Sequence, residues 1–267
     1  MSLRTEPRGV GHEKPPADLS EALVSGIKGV LGDDLVAVWL FGSSVTGGFD
    51  LDVSDIDHVA VTSPGIETID LEGLQRMHRR LVDRYPDWED RIEVVYVSRG
   101  ALETFRTKVG GLAVISPGEP FHVRDDPLSD WLQTWYLVRE TGVSLYGPDP
   151  AAIVPPIPNT EFVAAIARYS GELRNRSRAD ATGGAIAYAV LTACRAFLTV
   201  ESGTTGSKQE AATWARERMP EWAWLIDAAL ECRRSRGTIG FEDPASRASA
   251  ETFIAVVADE ISGRGRP

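Results

Sequence analysis

Ser54-Asp55-Ile56-Asp57 sets two carboxylates one residue apart at the head of an apolar run, and Ser54 lies eleven positions beyond Phe41-Gly42-Ser43. Alternate residues of a strand share a face, so Asp55 and Asp57 point at one place. Two like charges so close repel, and hard divalent cations held by their oxygens relieve the repulsion. Gly42 lets backbone approach a phosphate, while Ser43 adds a hydroxyl and an amide donor. Turn, strand and paired acids together describe a site for Mg²⁺ and a nucleoside triphosphate.

Three further residues have the right chemistry to join it. Glu93 interrupts the otherwise apolar run Ile92 to Val97. An unpaired carboxylate in such a strand is costly, so it needs a metal, a bound substrate or Arg91 beside it. Arg195 lies in the mostly apolar stretch Tyr188 to Leu198 and calls for an anion or an acidic partner. Lys208 falls near a helix start, where the dipole disfavours a cation unless an anion is close. Taken singly, each of these cations reads as an ordinary solvated charge; facing the acids together, they would clamp a triphosphate.

The elements that must position these side chains alternate between helix and strand. Val36 to Phe41 and Ile56 to Thr62 are predicted strands, and an amphipathic helix precedes them, carrying Leu23, Ile27, Val30 and Leu31 at helical spacing. A helix from about Leu71 to Arg84, the Glu93 strand and a short helix after Ser98 follow. Ala113 to Ile115 and Phe121 to Val123 are expected as short edge strands, and Asp130 to Leu145 as a helix stopped by Gly147-Pro148. The stretch Gly147 to Pro158 holds five prolines and no periodicity, the pattern of a linker. Beyond it only helices are expected, at Thr160 to Asn175, Ala185 to Val200, Lys208 to Arg218, Glu221 to Arg234 and Ser246 to Ile261. The expected architecture is therefore an α+β domain with a small mixed sheet, followed by an all-α bundle. Its boundaries are a flexible segment 1–17, the sheet domain 18–147, a linker 148–159 and the bundle 160–267.

Composition narrows the function classes. The chain has 267 residues, 43% of them hydrophobic, which is enough for a sizeable core. Its net charge of −11 argues against duplex DNA or an anionic membrane as partner. Only Cys194 and Cys232 occur, so no disulfide framework is implied and a reducing cytoplasm is the expectation. No apolar run is expected to reach the roughly 20 residues of a membrane helix, and a monomer or weak dimer is expected. A P-loop enzyme is set aside because no Gly-x-x-x-x-Gly-Lys-Ser/Thr string is present.

The segment Phe41-Gly-Ser to Ser54-Asp-Ile-Asp57 resembles the nucleotidyltransferase signature of the DNA polymerase β superfamily. Val190-Leu-Thr-Ala-Cys-Arg195 and Ser207-Lys208 through Met219-Pro220 resemble the helical domain of aminoglycoside 3″-adenylyltransferases. The resemblance runs from about Val36 to Ile261. It implies two Mg²⁺ ions on Asp55 and Asp57, Glu93 as catalytic base or further metal ligand, and Arg195 and Lys208 on ATP. Gly42, Ser43 and Ser54 would contact phosphate oxygens. The implied reaction moves AMP from ATP to a hydroxyl of a small molecule, with an aminoglycoside such as streptomycin or spectinomycin as the acceptor the resemblance suggests.

Departures from that family bear on the acceptor. Where its drug-binding members carry a tryptophan and several acids, this chain reads Arg174-Asn-Arg-Ser-Arg-Ala-Asp180, a stretch whose basic residues would repel a cationic aminoglycoside. Asp180, Trp131 and Trp135 are the remaining candidate acceptor contacts, although two tryptophans four apart on one helix also read as core. A family tyrosine near the nucleotide has no counterpart around Ser235-Arg236. Transfer to another metabolite or to a protein stays open, as does a non-catalytic nucleotide-binding module.

Overall fold

The computed structural model describes residues 15–107, 110–176 and 181–264. Most of the segment expected to be flexible, and Asp180, lie outside those residues. Helix α1 (Ala17–Leu31) leads into β1 (Leu35–Phe41), and a one-turn helix α2 (Ser43–Thr46) precedes β2 (Ile56–Thr62). Helix α3 (Leu71–Arg84), β3 (Ile92–Ser98), α4 (Arg99–Glu103), β4 (Leu112–Ser116) and β5 (Glu119–Arg124) follow. Then come α5 (Leu132–Thr141) and β6 (Val143–Tyr146). The six strands form one mixed sheet in the order β5-β4-β3-β2-β1-β6. Only β2 and β3 run parallel; the other neighbours are antiparallel.

Period-two alternation divides the strands between two cores. Leu19, Leu23 and Ile27 of α1 and Leu74 of α3 bury their apolar stripes on the face that carries Val38, Ala60, Val94 and Tyr96. The opposite face carries Trp39, Val59, Val61, Val95 and Val97 and is covered by Trp135 of α5. Each such fully buried aliphatic side chain is worth about 1.5–3 kcal/mol of transfer free energy.

The segment expected as one helix from Asp130 to Leu145 divides into a 3₁₀ turn, α5 and the edge strand β6. The helix ends at Gly142, whose N–H donates to Val138 O at 2.9 Å and whose missing Cβ lets that carbonyl approach. Val143 to Tyr146 then pairs with β1, Val38 opposite Tyr146. Gly147, at φ +76°, turns the chain against Val36 O, and Trp39 Nε1 donates to Pro148 O at 2.8 Å. The proline-rich stretch is packed rather than loose, for Ile153, Val154 and Ile157 join the core under the sheet.

The helices expected after it are present: α6 (Asn159–Arg176), α7 (Gly183–Ser202), α8 (Lys208–Arg218), α9 (Ala223–Arg234) and α10 (Pro244–Arg264). They share a separate core around Val190, Cys194, Phe197, Ile226 and Phe253. Phe162 and Ala165 of α6 instead pack under the sheet, tying the bundle to the first domain. The membrane expectation needs one correction, because the 20-residue α7 is long and apolar enough to cross a bilayer. Half of it is buried within the protein, and its apolar residues serve the bundle core.

Candidate active site

Register explains how three acids meet. Asp57 of β2 lies directly beside Glu93 of the parallel strand β3, so the two side chains leave the same face as neighbours. Asp55, two residues before Asp57, shares that face. Ligand oxygens of Asp55, Asp57 and Glu93 all lie within 4.8 Å of one another. Among the described residues no lysine or arginine comes within ion-pair distance of any of them. Burial, then Asp55, then Glu93 push Asp57 well above the usual carboxylate range. Burial, Asp55 and Glu119 push Glu93 up to about 7, against a smaller pull from Lys208. Crowded, mutually repelling hard oxygens are the donor set that Mg²⁺ takes, and these three side chains fit it.

Gly42 ends β1 at φ +71°, and a Cβ placed there would collide with Asp57 Oδ2. Glycine is therefore required by the carboxylate beside it as well as by the turn. Gly42 and Ser43 line the cleft above the acids. Ser54, expected on a phosphate, is buried and lies outside the cleft lining. Its hydroxyl accepts from Asp50 N–H at 3.0 Å and from Arg233 Nη2 at 3.1 Å. Arg91 is not the partner of Glu93: its guanidinium donates to Ser54 O and Leu51 O and lies 4.2 Å from the centre of the Trp88 ring. It braces the loop that delivers Asp55.

Opposite the acids, the bundle presents cations. Arg195 from α7, Lys208 at the first turn of α8 and Arg233 from the last turn of α9 line the same cleft, whose volume is about 480 Å³. Ser207 caps α8, exchanging bonds with Glu210 in a capping box. Lys208 Nζ sits 4.8 Å from the centre of the Tyr188 ring. Burial lowers the Lys208 ammonium to about 8; Asp55 resists that shift, while Arg233 and Arg195 add to it. Arg233 was not legible as a site residue, because two arginines in a final helical turn are ordinary dipole complements.

The tryptophans belong to the core. Trp135 is fully buried and donates from Nε1 to Leu128 O at 2.9 Å, and Trp131 stacks on it at 6.1 Å between ring centres. Neither lines the cleft. The same helix instead turns Gln133, Thr134, Leu137 and Thr141 toward it. Those residues were missed because neutral hydroxyls and amides carry no sequence signal. His58 points to the far side of the sheet, where burial lowers it to about 4; no role in the cleft follows from it.

A mixed sheet that gathers three carboxylates at one end thus faces a helical bundle bearing three cations across one cleft. Residues 152–259 match the family model described as the C-terminal domain of aminoglycoside adenylyltransferases. The chain is 26% identical over 214 residues to spectinomycin 9-adenylyltransferases of Staphylococcus aureus strains N315 and Mu50, covering 76% of this chain and 79% of theirs. Its fold matches the crystal structure of spectinomycin adenyltransferase AAD(9) from Enterococcus faecialis with ATP and spectinomycin. The TM-score is 0.71 at 18% identity, over 93% of this chain and all of that one. Over residues 152–259 the chain is similar to aminoglycoside adenylyltransferases, and over most of its length it shares the fold of AAD(9).

Proposed function

We propose that the protein transfers AMP from ATP to a hydroxyl group of an aminoglycoside of the spectinomycin type, with Mg²⁺ as cofactor. The observation that carries this reading is the carboxylate trio on the sheet facing a cation trio on the bundle across one cleft. Asp55 and Asp57 would hold two Mg²⁺ ions, which when bound neutralise the phosphates and the leaving pyrophosphate. Gly42 and Ser43 lie where backbone and hydroxyl donors meet phosphate oxygens. The acceptor hydroxyl attacks the α-phosphorus, the bond from that phosphorus to the bridging oxygen breaks, and pyrophosphate departs with the electron pair. The hydroxyl proton goes to Glu93, the carboxylate that lies beside the Asp55–Asp57 pair. Arg195 and Lys208 oppose the charge on the triphosphate.

The acceptor side is neutral. Besides the three clustered acids, the one acidic lining residue among those described is Glu210, which is engaged in the α8 capping box. Gln133, Thr134, Thr141, Tyr169, Thr192 and Thr199 offer amide and hydroxyl contacts instead. Such a lining selects a compact polyhydroxylated acceptor over a polycation, and it also favours a second reading in which another polyol metabolite is modified. The buried free thiols Cys194 and Cys232 accord with a cytoplasmic setting.

Pyrophosphate release from ATP and Mg²⁺ tests this, with spectinomycin, streptomycin or a metabolite extract supplied separately. We expect release with spectinomycin and none from Asp57→Asn. Release with the extract alone would move the assignment to the second reading, and undiminished turnover by Asp57→Asn would remove the metal role of the acids.

A further inference from the structure

We propose that Arg233 is a nucleotide-binding residue, the third cation of the triphosphate-binding set, supplied by α9. The inference rests on the adenylyl-transfer reading for its ligand but adds a residue and an element that the reading does not use. Arg233 lines the cleft with Arg195 and Lys208. Its neighbour Arg234 is spent on Glu231 at 2.5 Å, whereas Arg233 has no carboxylate within ion-pair distance among the described residues. Among the described residues its side-chain hydrogen bond goes to the Ser54 hydroxyl, 179 positions away in the chain, and uses one donor of a five-donor guanidinium.

Burial lowers Arg233, and the charges of Asp50 and Asp55 only partly compensate. A half-buried guanidinium without an acidic partner is unfavourable unless an anion arrives. Charge counting points the same way. Three carboxylates, two divalent ions and a tetra-anionic nucleotide leave three negative charges, which Arg195 and Lys208 alone do not neutralise. A planar fork suits phosphate oxygens bidentately.

Calorimetry on the full chain separates the possibilities, using inorganic tripolyphosphate, a non-hydrolysable ATP analogue and adenosine. Arg233→Ala should weaken the two phosphate ligands about tenfold or more and leave adenosine within threefold; Arg233→Lys should recover part of the loss and guards against a folding defect in the alanine variant. Ser54→Ala should keep phosphate affinity within threefold. If Ser54→Ala reproduces the loss, Arg233 only pins the loop and the proposal falls; unchanged tripolyphosphate affinity in Arg233→Ala overturns it as well. Should the wild type bind these phosphates yet transfer AMP to no acceptor, the functional reading fails while Arg233 is still judged by the same titrations. A wild type that binds none of them overturns the proposal itself.

Discussion

Single atoms decide whether the acids converge. Because a Cβ on Gly42 meets Asp57 Oδ2 and the residue needs φ +71°, Gly42→Ala strains the backbone and displaces a carboxylate at once. The backbone at φ +71° and ψ −148° is open essentially to glycine alone, so another residue there costs roughly 1–3 kcal/mol, and a misplacement near 1 Å at reacting groups costs about 100-fold in rate. We expect kcat/KM for pyrophosphate release to fall by that order with the cooperative melt preserved; wild-type turnover would show that Asp57 tolerates the shift. The charge state of the acids gives a second test. Glu93 is raised to about 7 and Asp57 is raised too, so in the metal-free protein their stability contribution is fully present below pH 4 to 4.5. It is lost as pH climbs through the folded values, because burial first, and then the charge of Asp55, disfavours the deprotonated forms of Asp57 and Glu93. On the proposed reading Mg²⁺ would bind the deprotonated form and displace protons, so the melting-temperature rise on adding Mg²⁺ should be larger at pH 8 than at pH 6. Equal shifts at the two pH values would show that the acids are already ionised at pH 6. These acids were legible in the sequence because charge inside an apolar strand contradicts its surroundings, whereas Arg233 contradicted nothing until its distance to Ser54 was known.

At the scale of elements, β2 and β3 were legible as strands, but their parallel register was not. It is the register that places Asp57 beside Glu93. Strand β6 escaped because four residues following a helix with no break but Gly142 carry too little periodicity to outweigh the helical run before them. The tryptophans of α5 show the same limit. Spacing of four allowed both a core and an acceptor contact, and the buried indole of Trp135 with its bond to Leu128 O settles on the core. Trp135→Leu should accordingly lower unfolding free energy by about 2–4 kcal/mol while leaving the acceptor KM of the surviving folded enzyme near wild type, as read by urea denaturation and steady-state kinetics. Undiminished stability with a raised acceptor KM would return Trp135 to the acceptor site.

At the scale of the whole molecule, the site exists only where two cores face each other, and no single stretch of sequence contains it. The acids stand on the sheet and Arg195, Lys208 and Arg233 on the bundle, so on the adenylyl-transfer reading proposed above the spacing between sheet and bundle is itself a determinant of nucleotide affinity. One contact sets it at the mouth of the cleft. A Cβ on Gly48, in the loop before the acids, would lie 2.6 Å from Ser207 Cβ, closer than carbon atoms approach. Ser207 caps α8 and immediately precedes Lys208, so a methyl group at position 48 would push that helix start, and its ammonium, away from Asp55 and Asp57. Gly48→Ala should therefore weaken binding of a non-hydrolysable ATP analogue several-fold while the thermal melt stays within a few degrees, since neither core is touched. Removing the opposing carbon should reverse the effect. Ser207→Gly costs only a few tenths of a kcal/mol as an N-cap change, and the double variant Gly48→Ala/Ser207→Gly should bind the analogue more tightly than Gly48→Ala alone. Additive losses in the double variant would mean that the loop acts through its own conformation, and the spacing between domains would no longer be what Gly48 protects.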